Sequence, residues 1–231
     1  MEFHFAKAFK TLGPSLLDGI GIVVFITLIG FLCSLIVALL LAIGRLSKKK
    51  PVTVTLSLFI ELIRGTPLLV QFFYIYYVVP MLINGIALSF GHQTNVRLSA
   101  VTCGIIGFAI NYGCYMSEVI RAAILSIDPG QREAGLALGF SEKQVMFRFI
   151  IPPALRNSVP VFGNYLVMMI KDTSLLAMIT VEELLLRTKT YASQTFLTVE
   201  AFTILALVYL VISIPLSQLS KVVERKLKQG R

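Results

Sequence analysis

The sequence predicts an all-α membrane protein of about five spanning helices, interrupted once by a polar helical excursion. Three observations predict it. Hydrophobic residues make up 56% of the 231 residues and charged ones only 14%, and the mean hydropathy is +0.83, well outside the range of ordinary soluble domains. The apolar residues gather into five runs of the length a bilayer core of about 30 Å demands. The single long polar stretch, 128–160, carries two short helix signatures between prolines. The net charge of +9 does not point to nucleic acid, because the basic residues flank the apolar runs. Cys33, Cys103 and Cys114 fall inside those runs without metal-ligand or redox spacing and read as small buried hydrophobes. No metal site and no nucleophile–base set is legible.

The whole chain, 1–231, reads as one transmembrane domain. Residues 1–18, with Phe3, Phe5 and Phe9 beside Lys7 and Lys10, predict an amphipathic segment lying on the membrane surface. Span one follows at about 19–43 and ends in the basic cluster Arg45, Lys48, Lys49, Lys50. Its length and its basic end argue against a cleaved signal peptide. Span two is expected at about 52–79, finishing in the aromatic belt Tyr74, Tyr76, Tyr77, with a polar loop over 84–97. Span three is expected at about 98–127. In the polar stretch, Asp128 as N-cap with Pro129 at the first helical position starts a helix that stops at Gly139. Ser141 with Gln144 starts a second, carrying Val145 and Phe149 on one face, and Pro152, Pro153 and Pro160 close the stretch. Span four is expected at about 159–181, a polar loop at 182–198, and span five at about 199–219 before a basic tail.

The positive-inside rule sets the orientation. With the N-terminus outside, 13 Lys and Arg fall inside, 5 outside (Lys7, Lys10, Arg97, Arg187, Lys189) and 3 within spans, accounting for all 21. The rule therefore places the N-terminus outside, and the C-terminus and the 128–156 excursion in the cytoplasm.

Charged groups inside the membrane cost about 2.5–3.5 kcal/mol each on insertion scales and need a reason. Six are present: Glu61, Arg64, Glu118, Arg121, Lys171 and Asp172. Glu61–Arg64 and Glu118–Arg121 are spaced i, i+3 and are expected to pair along their own helices, with Lys171 as a further structural charge. Thr66, Asn111 and the 171–174 segment each lie roughly 18–23 Å along their spans, near mid-membrane. Asn111, Tyr115 and Glu118 share a helix face. Thr66, Asn111, Tyr115, Asp172, Thr173 and Ser174 are the expected lining of a substrate path. A zwitterionic solute needs both signs and hydroxyl or amide groups, and Pro67 frees backbone carbonyls beside Thr66.

Glu133-Ala134-Gly135, then Gly139, then Phe149-Ile150-Ile151-Pro152 resemble the EAA loop of the membrane subunits of bacterial ABC importers, whose pattern is EAA, three residues, Gly, nine residues, I-x-L-P. Gly135, Phe149 and Ile151 depart from it conservatively. ELIRGTPLLVQ, NYGCYMSEVIRAAILSIDPGQ and KDTSL extend the resemblance to the polar amino-acid branch of those permeases. The resemblance implies a type I ABC importer permease in the bacterial inner membrane. It implies a non-catalytic subunit whose Glu133, Ala134, Gly135, Gly139 and Pro152 meet an ATPase subunit. ATP and Mg²⁺ would be held there, with no cofactor on this chain, which has no GxxxxGK[ST] loop. The further partners implied are a second permease, identical or paralogous, an external solute-binding protein and membrane lipid, without nucleic acid. Two alternatives stay open on the residues alone: a lone ion-coupled carrier or proton channel using Glu61, Glu118 and Asp172 as a relay, and, with less support, a membrane-embedded enzyme.

Overall fold

Helix α1 (Phe5–Arg45) is shaped by one stripe of mostly small or branched residues, Ala8, Leu12, Leu16, Val23, Ile26, Ser34 and Ala38 among them, spaced by three, four or multiples of these. That spacing keeps a single face against the rest of the chain, and Pro14 sits inside the helix without ending it. The structure, a computed structural model, describes residues 3–229. At 41 residues α1 is about 60 Å long, twice the hydrocarbon thickness. The expected surface segment at 1–18 is therefore the first turns of span one. Its Ala8, Leu12 and Leu16 pack with Leu184, Ala201 and Ile204, while Phe3, Phe5 and Phe9 stay exposed on the other side; Met1 and Glu2 fall outside the described residues.

Span two is broken. α2 (Lys50–Arg64) ends at Gly65, and α3 (Leu68–Phe73) starts from Pro67 as its N-cap. A π-turn (Tyr74–Val78) leads into α4 (Val79–Ser89). The residue before a proline is pushed out of the helical region, and Pro67 has no N–H to continue the ladder. The apolar crossing is thus Leu68–Ser89, not 52–79. The first part of the expected loop is helical, and Asn84 on α4 ties the remainder down through Val96, accepting its N–H at 2.8 Å and donating to its carbonyl at 3.1 Å.

Helix α5 (Ala100–Leu125), capped by Ser99, is the centre of the bundle. It runs parallel to α1: Gly30 meets Phe108, Ser34 meets Met116 and Arg45 meets Glu118. The approach is close, because a Cβ on Gly113 would come within 2.6 Å of Val37 Cγ1. Helix α6 (Pro129–Ala137) and α7 (Glu142–Val145) form an elbow. α7 runs through a π-turn (Met146–Ile150) into α8 (Ile151–Asp172). Pro152 and Pro153 sit at the first turn of α8 and Pro160 inside it, so the expected proline closure is instead a continuous helix. After Asp172 the chain tightens to a 3₁₀ segment (Thr173–Ile179), turns on left-handed Thr180, and forms α9 (Leu184–Thr195) where a polar loop was expected. α10 (Thr198–Gln229) returns antiparallel to α8, with Gly163 against Ser220. By length and composition four helices of the described residues can cross a membrane, or five if the bent pair 142–179 and 184–195 counts as one span.

Replacing Gly113 by Val is expected to lower stability by about 1–3 kcal/mol through overpacking against α1, read as a reduced thermal midpoint in detergent. Gly21→Val, where an added Cβ meets nothing within 4 Å, is the matched control and should leave the midpoint unchanged.

Candidate functional site

The break between α2 and α3 generates the site. Pro67 cannot supply the N–H that a continuous helix would give the carbonyl of Ile63, and in a bilayer such a carbonyl must find a donor within the protein. Thr66 donates to it at long range, from its N–H at 3.4 Å and its hydroxyl at 3.2 Å, and Gln71, one turn into α3, makes the shortest contact: its Nε2 donates to Ile63 O at 2.7 Å, Thr66 O at 3.1 Å and Thr66 Oγ1 at 2.9 Å. The backbone carbonyls only accept, so the amide group faces them and Oε1 faces away. There it accepts from Asn111 Nδ2 on α5 at 3.0 Å. One buried side chain thus closes the break and ties it to the central helix.

Beside this linkage lies a cavity of about 450 Å³, lined by Arg64, Thr66, Pro67, Asn111, Tyr112, Tyr115, Tyr165, Met168 and Asp172. Of the expected path residues it gathers Thr66, Asn111, Tyr115 and Asp172. Thr173 and Ser174 are not among its walls. Thr173 is buried with its hydroxyl donating to Ile170 O at 2.6 Å, and the Ser174 hydroxyl donates to Lys171 O at 2.9 Å. The helix tightens at Thr173, which turns both away from the face of Asp172. Sequence reasoning missed Gln71, Tyr112, Tyr165 and Met168. Gln71 carried a usable signal: it is a lone amide in the run LLVQFFYIYYVV, four residues after a proline.

The charges are arranged across helices, not along them. Glu118 on α5 pairs with Arg45 of α1 and stands 3.8 Å from Arg64 of α2. The expected Glu61–Arg64 and Glu118–Arg121 pairs do not form: the α2 break and the parallel packing of α1 on α5 bring two arginines to one carboxylate. Glu61 is exposed on α2, Arg121 is half-buried and Lys171 is exposed beside Asp172. Arg45 is the tighter partner, so Arg64 retains an incompletely matched charge. Its side chain is 40% exposed and its guanidinium lies 5.1 Å from the centre of the Tyr115 ring, a cation–π contact. Tyr115 also donates to Arg64 O at 3.3 Å. On the opposite wall Tyr112 donates to Asp172 Oδ2 at 2.6 Å, and Tyr165 packs edge-on against Tyr112. The cavity therefore presents a guanidinium, a carboxylate, an amide, a hydroxyl and aromatic faces. The ion relay considered from sequence is disfavoured by this geometry, since Glu118 is held between two arginines.

At the elbow, Asp128 caps α6 and Ser141 with Gln144 forms a full capping box on α7, as the sequence predicts. Gly139 has φ +83°, and Gly139 N and Phe140 N donate to Leu136 O and Gly135 O, a Schellman closure. Arg132 pairs with Glu142 across the bend, and Phe140 packs on Phe149 at 5.2 Å. Gly135 is buried, and a Cβ there would lie 2.9 Å from Val145. The glycine thus lets α6 seat on α7 more closely than alanine would. Glu133, Ala134 and Gly139 are exposed, as is Leu138 at 75%, and Pro152 is exposed at the start of α8.

The family model for binding-protein-dependent transport system inner membrane components matches residues 30–229. The L-cystine transport system permease protein TcyB of Bacillus subtilis (strain 168) is 37% identical over 215 residues, covering 93% of this chain and 87% of that protein. The glutamine transport system permease protein GlnP of Escherichia coli (strain K12) is 34% identical over 228 residues, 99% of each chain. A chain in the crystal structure of an amino acid ABC transporter with histidines superposes with a TM-score of 0.84 at 31% identity, over 98% of this chain and all of that one. The MetNI methionine ABC transporter in an inward-facing conformation shares the fold, with a TM-score of 0.64 at 15% identity.

Gln71→Leu is expected to orphan the Thr66 carbonyl and the Asn111 amide together and to leave the Ile63 carbonyl only its longer contacts from Thr66. The expected loss is about 1–3 kcal/mol for the buried unsatisfied groups, measured as a drop in thermal midpoint with faster proteolysis at 64–67.

Proposed function

The chain belongs to the family of binding-protein-dependent transport system inner membrane components, and from that membership we propose how it works as the membrane-spanning permease of an ATP-driven amino-acid importer. The observation that carries the substrate reading is the cavity holding Arg64 and Asp172 on its walls. A free amino acid is a zwitterion. Asp172 faces its ammonium, and Arg64, Thr66 and Asn111 face its carboxylate. Arg64 thus moves from the structural role expected of it to a binding one. The aromatic walls of Tyr112, Tyr115 and Tyr165 exclude water around the pair, which strengthens both contacts. The relatives' names, cystine and glutamine permeases, support a polar amino acid as the solute.

The 128–156 elbow is the coupling element. Its apolar underside, Val145, Ile150 and Ile151, is continuous with the membrane core through Ile120 and Ile124. Its outer side exposes Glu133, Ala134 and Leu138. Glu133 lies at the middle of α6, on its exposed side. A push on α6 therefore travels as a rigid-body shift into α5 and α8, the two helices that carry Asn111, Tyr112, Tyr165 and Asp172. This supports alternating access driven by a separate ATPase subunit, which holds ATP and Mg²⁺ while this chain catalyses nothing. The partners are that ATPase, a second permease and an external binding protein. The single domain 1–231 lies with its N-terminus outside and its elbow and C-terminus in the cytoplasm. The basic groups 45–50, 132–148 and 221–226 support that orientation, since parallel α1–α5 and antiparallel α8–α10 packing gathers them at one end of the bundle.

Uptake into proteoliposomes containing the binding protein and ATPase tests the cavity. Asp172→Asn and Arg64→Gln are each expected to weaken apparent affinity by about tenfold or more, the equivalent of 1.4 kcal/mol. Parental affinity in both variants overturns the zwitterion site. Glu133→Lys is expected to leave insertion intact and to cut transport-linked ATP hydrolysis; unchanged hydrolysis overturns the coupling role.

A further inference from the structure

A second recess, on the side of α1 and α10, has the opposite chemistry. It is a groove of about 660 Å³ whose walls are Phe9, Leu17 and Ile20 of α1 and Leu207, Val208 and Val211 of α10, with Gly13 at its floor and Lys10 at its rim. Lys10 is the only charged residue lining it. Phe9, Leu17 and Val211 are each more than three-fifths exposed. Its lining runs from Ala6 to Ile20 on α1, about 21 Å, and from Ile204 to Ile212 on α10, about 12 Å, lengths that bracket half of a hydrocarbon core of about 30 Å. It is one leaflet deep, apolar along its length and cationic at its mouth.

We propose that this groove is a binding site for an anionic glycerophospholipid, with an acyl chain between α1 and α10 and the phosphate paired to Lys10. Three features favour lipid over protein as the occupant. The depth matches a single leaflet. Lys7, also exposed, adds a second cation one turn before Lys10. The nearest acid at that end, Glu200, is buried and accepts the His4 backbone N–H at 2.9 Å, so it does not oppose an anion at the rim. The exposed polar groups Glu61, Arg64 and Thr66 lie on or beside α2, which lines no part of the groove, and the exposed Asp18 of α1 is not among its walls either. Gly13 makes room for the chain: a Cβ built on it meets nothing within 4 Å.

The test is native mass spectrometry of the full chain assembled with its ATPase, equilibrated with phosphatidylglycerol or phosphatidylcholine. The parent is expected to retain phosphatidylglycerol, one per chain, with a preference of about fivefold, the worth of one lysine near an anionic surface. Gly13→Phe, whose Cβ meets nothing within 4 Å, places its ring in the groove and should lose the retained lipid, whereas Gly21→Phe, with equal room at Cβ but outside the groove, should keep it. Lys10→Gln should retain both lipids equally. Retention in Gly13→Phe equal to the parent, or no headgroup preference in the parent, overturns the proposal. So does cross-linking of Gly13→Cys to another protein chain. Unchanged uptake by Gly13→Phe would show that the variant is folded and that the lost lipid reports the groove itself.

Discussion

The carbonyl of Ile63 loses its i+4 helical donor to Pro67 and keeps only long contacts from Thr66, its N–H at 3.4 Å and its hydroxyl at 3.2 Å, and much of the molecule follows from that constraint. An unpaired carbonyl in hydrocarbon costs several kcal/mol. The break at Gly65–Pro67 is stabilised by Gln71, which gives Ile63 its shortest hydrogen bond, reaches Thr66 as well and ties both to Asn111. The same break sets Arg64, Thr66 and Pro67 around an opening rather than along a cylinder. A straight helix over 52–79 would have no such opening and would leave Arg64 without access to Glu118.

A second interruption mirrors the first on the next half of the chain. α8 tightens after Asp172, and Thr180 takes a left-handed conformation at φ 69°, unusual for a branched residue. α9 then restarts on Glu183, a fully buried carboxylate that accepts Leu185 N and Leu186 N at 2.9 Å each and the Tyr209 hydroxyl at 3.2 Å. A buried charge is tolerable when the N-terminus of a helix and hydrogen-bond donors surround it. The cavity lies between these two interruptions, with Thr66 and Arg64 from one and Asp172 from the other. Polar groups inside a bilayer are supplied here by helix ends, where the backbone is already irregular and already paired.

What the sequence revealed and what it hid divide along local and long-range lines. The elbow was legible in detail. Asp128, Ser141 with Gln144, and Gly139 act through hydrogen bonds within a few residues, so their spacing carries the geometry. The family resemblance rested on the same residues. The polar residues at mid-membrane were also legible as a set, because each breaks an apolar run. Their pairing was not. Spacing of i, i+3 joined Glu118 to Arg121, whereas the parallel packing of α1 on α5 joins it to Arg45, and no local pattern encodes which helices lie side by side. Thr173 and Ser174 follow Asp172 in sequence, but the switch to a 3₁₀ turn rotates them away from it. The N-terminal segment divides the same way: its exposed Phe3, Phe5 and Phe9 are legible locally, whereas its buried stripe Ala8, Leu12 and Leu16 has partners nearly two hundred positions later.

The two recesses can be compared by what a bilayer would do to each. Along α2 and at the cavity mouth Glu61, Arg64 and Thr66 are exposed. Arg64 lies about 21 Å along α2 from its basic end, just before the apolar crossing Leu68–Ser89. Facing lipid, Arg64 would cost several kcal/mol, comparable to a good part of a small protein's net stability. That side must therefore meet water or another polar protein surface. The α1–α10 side exposes Phe9, Leu17, Leu207 and Val211 at comparable extent, and these would lose free energy in water and lose nothing in hydrocarbon. One bundle thus presents a wet face and an oily one, and the helix breaks fall on the helices of the wet face. Irregular backbone needs polar neighbours, and polar neighbours are admissible only where lipid is excluded.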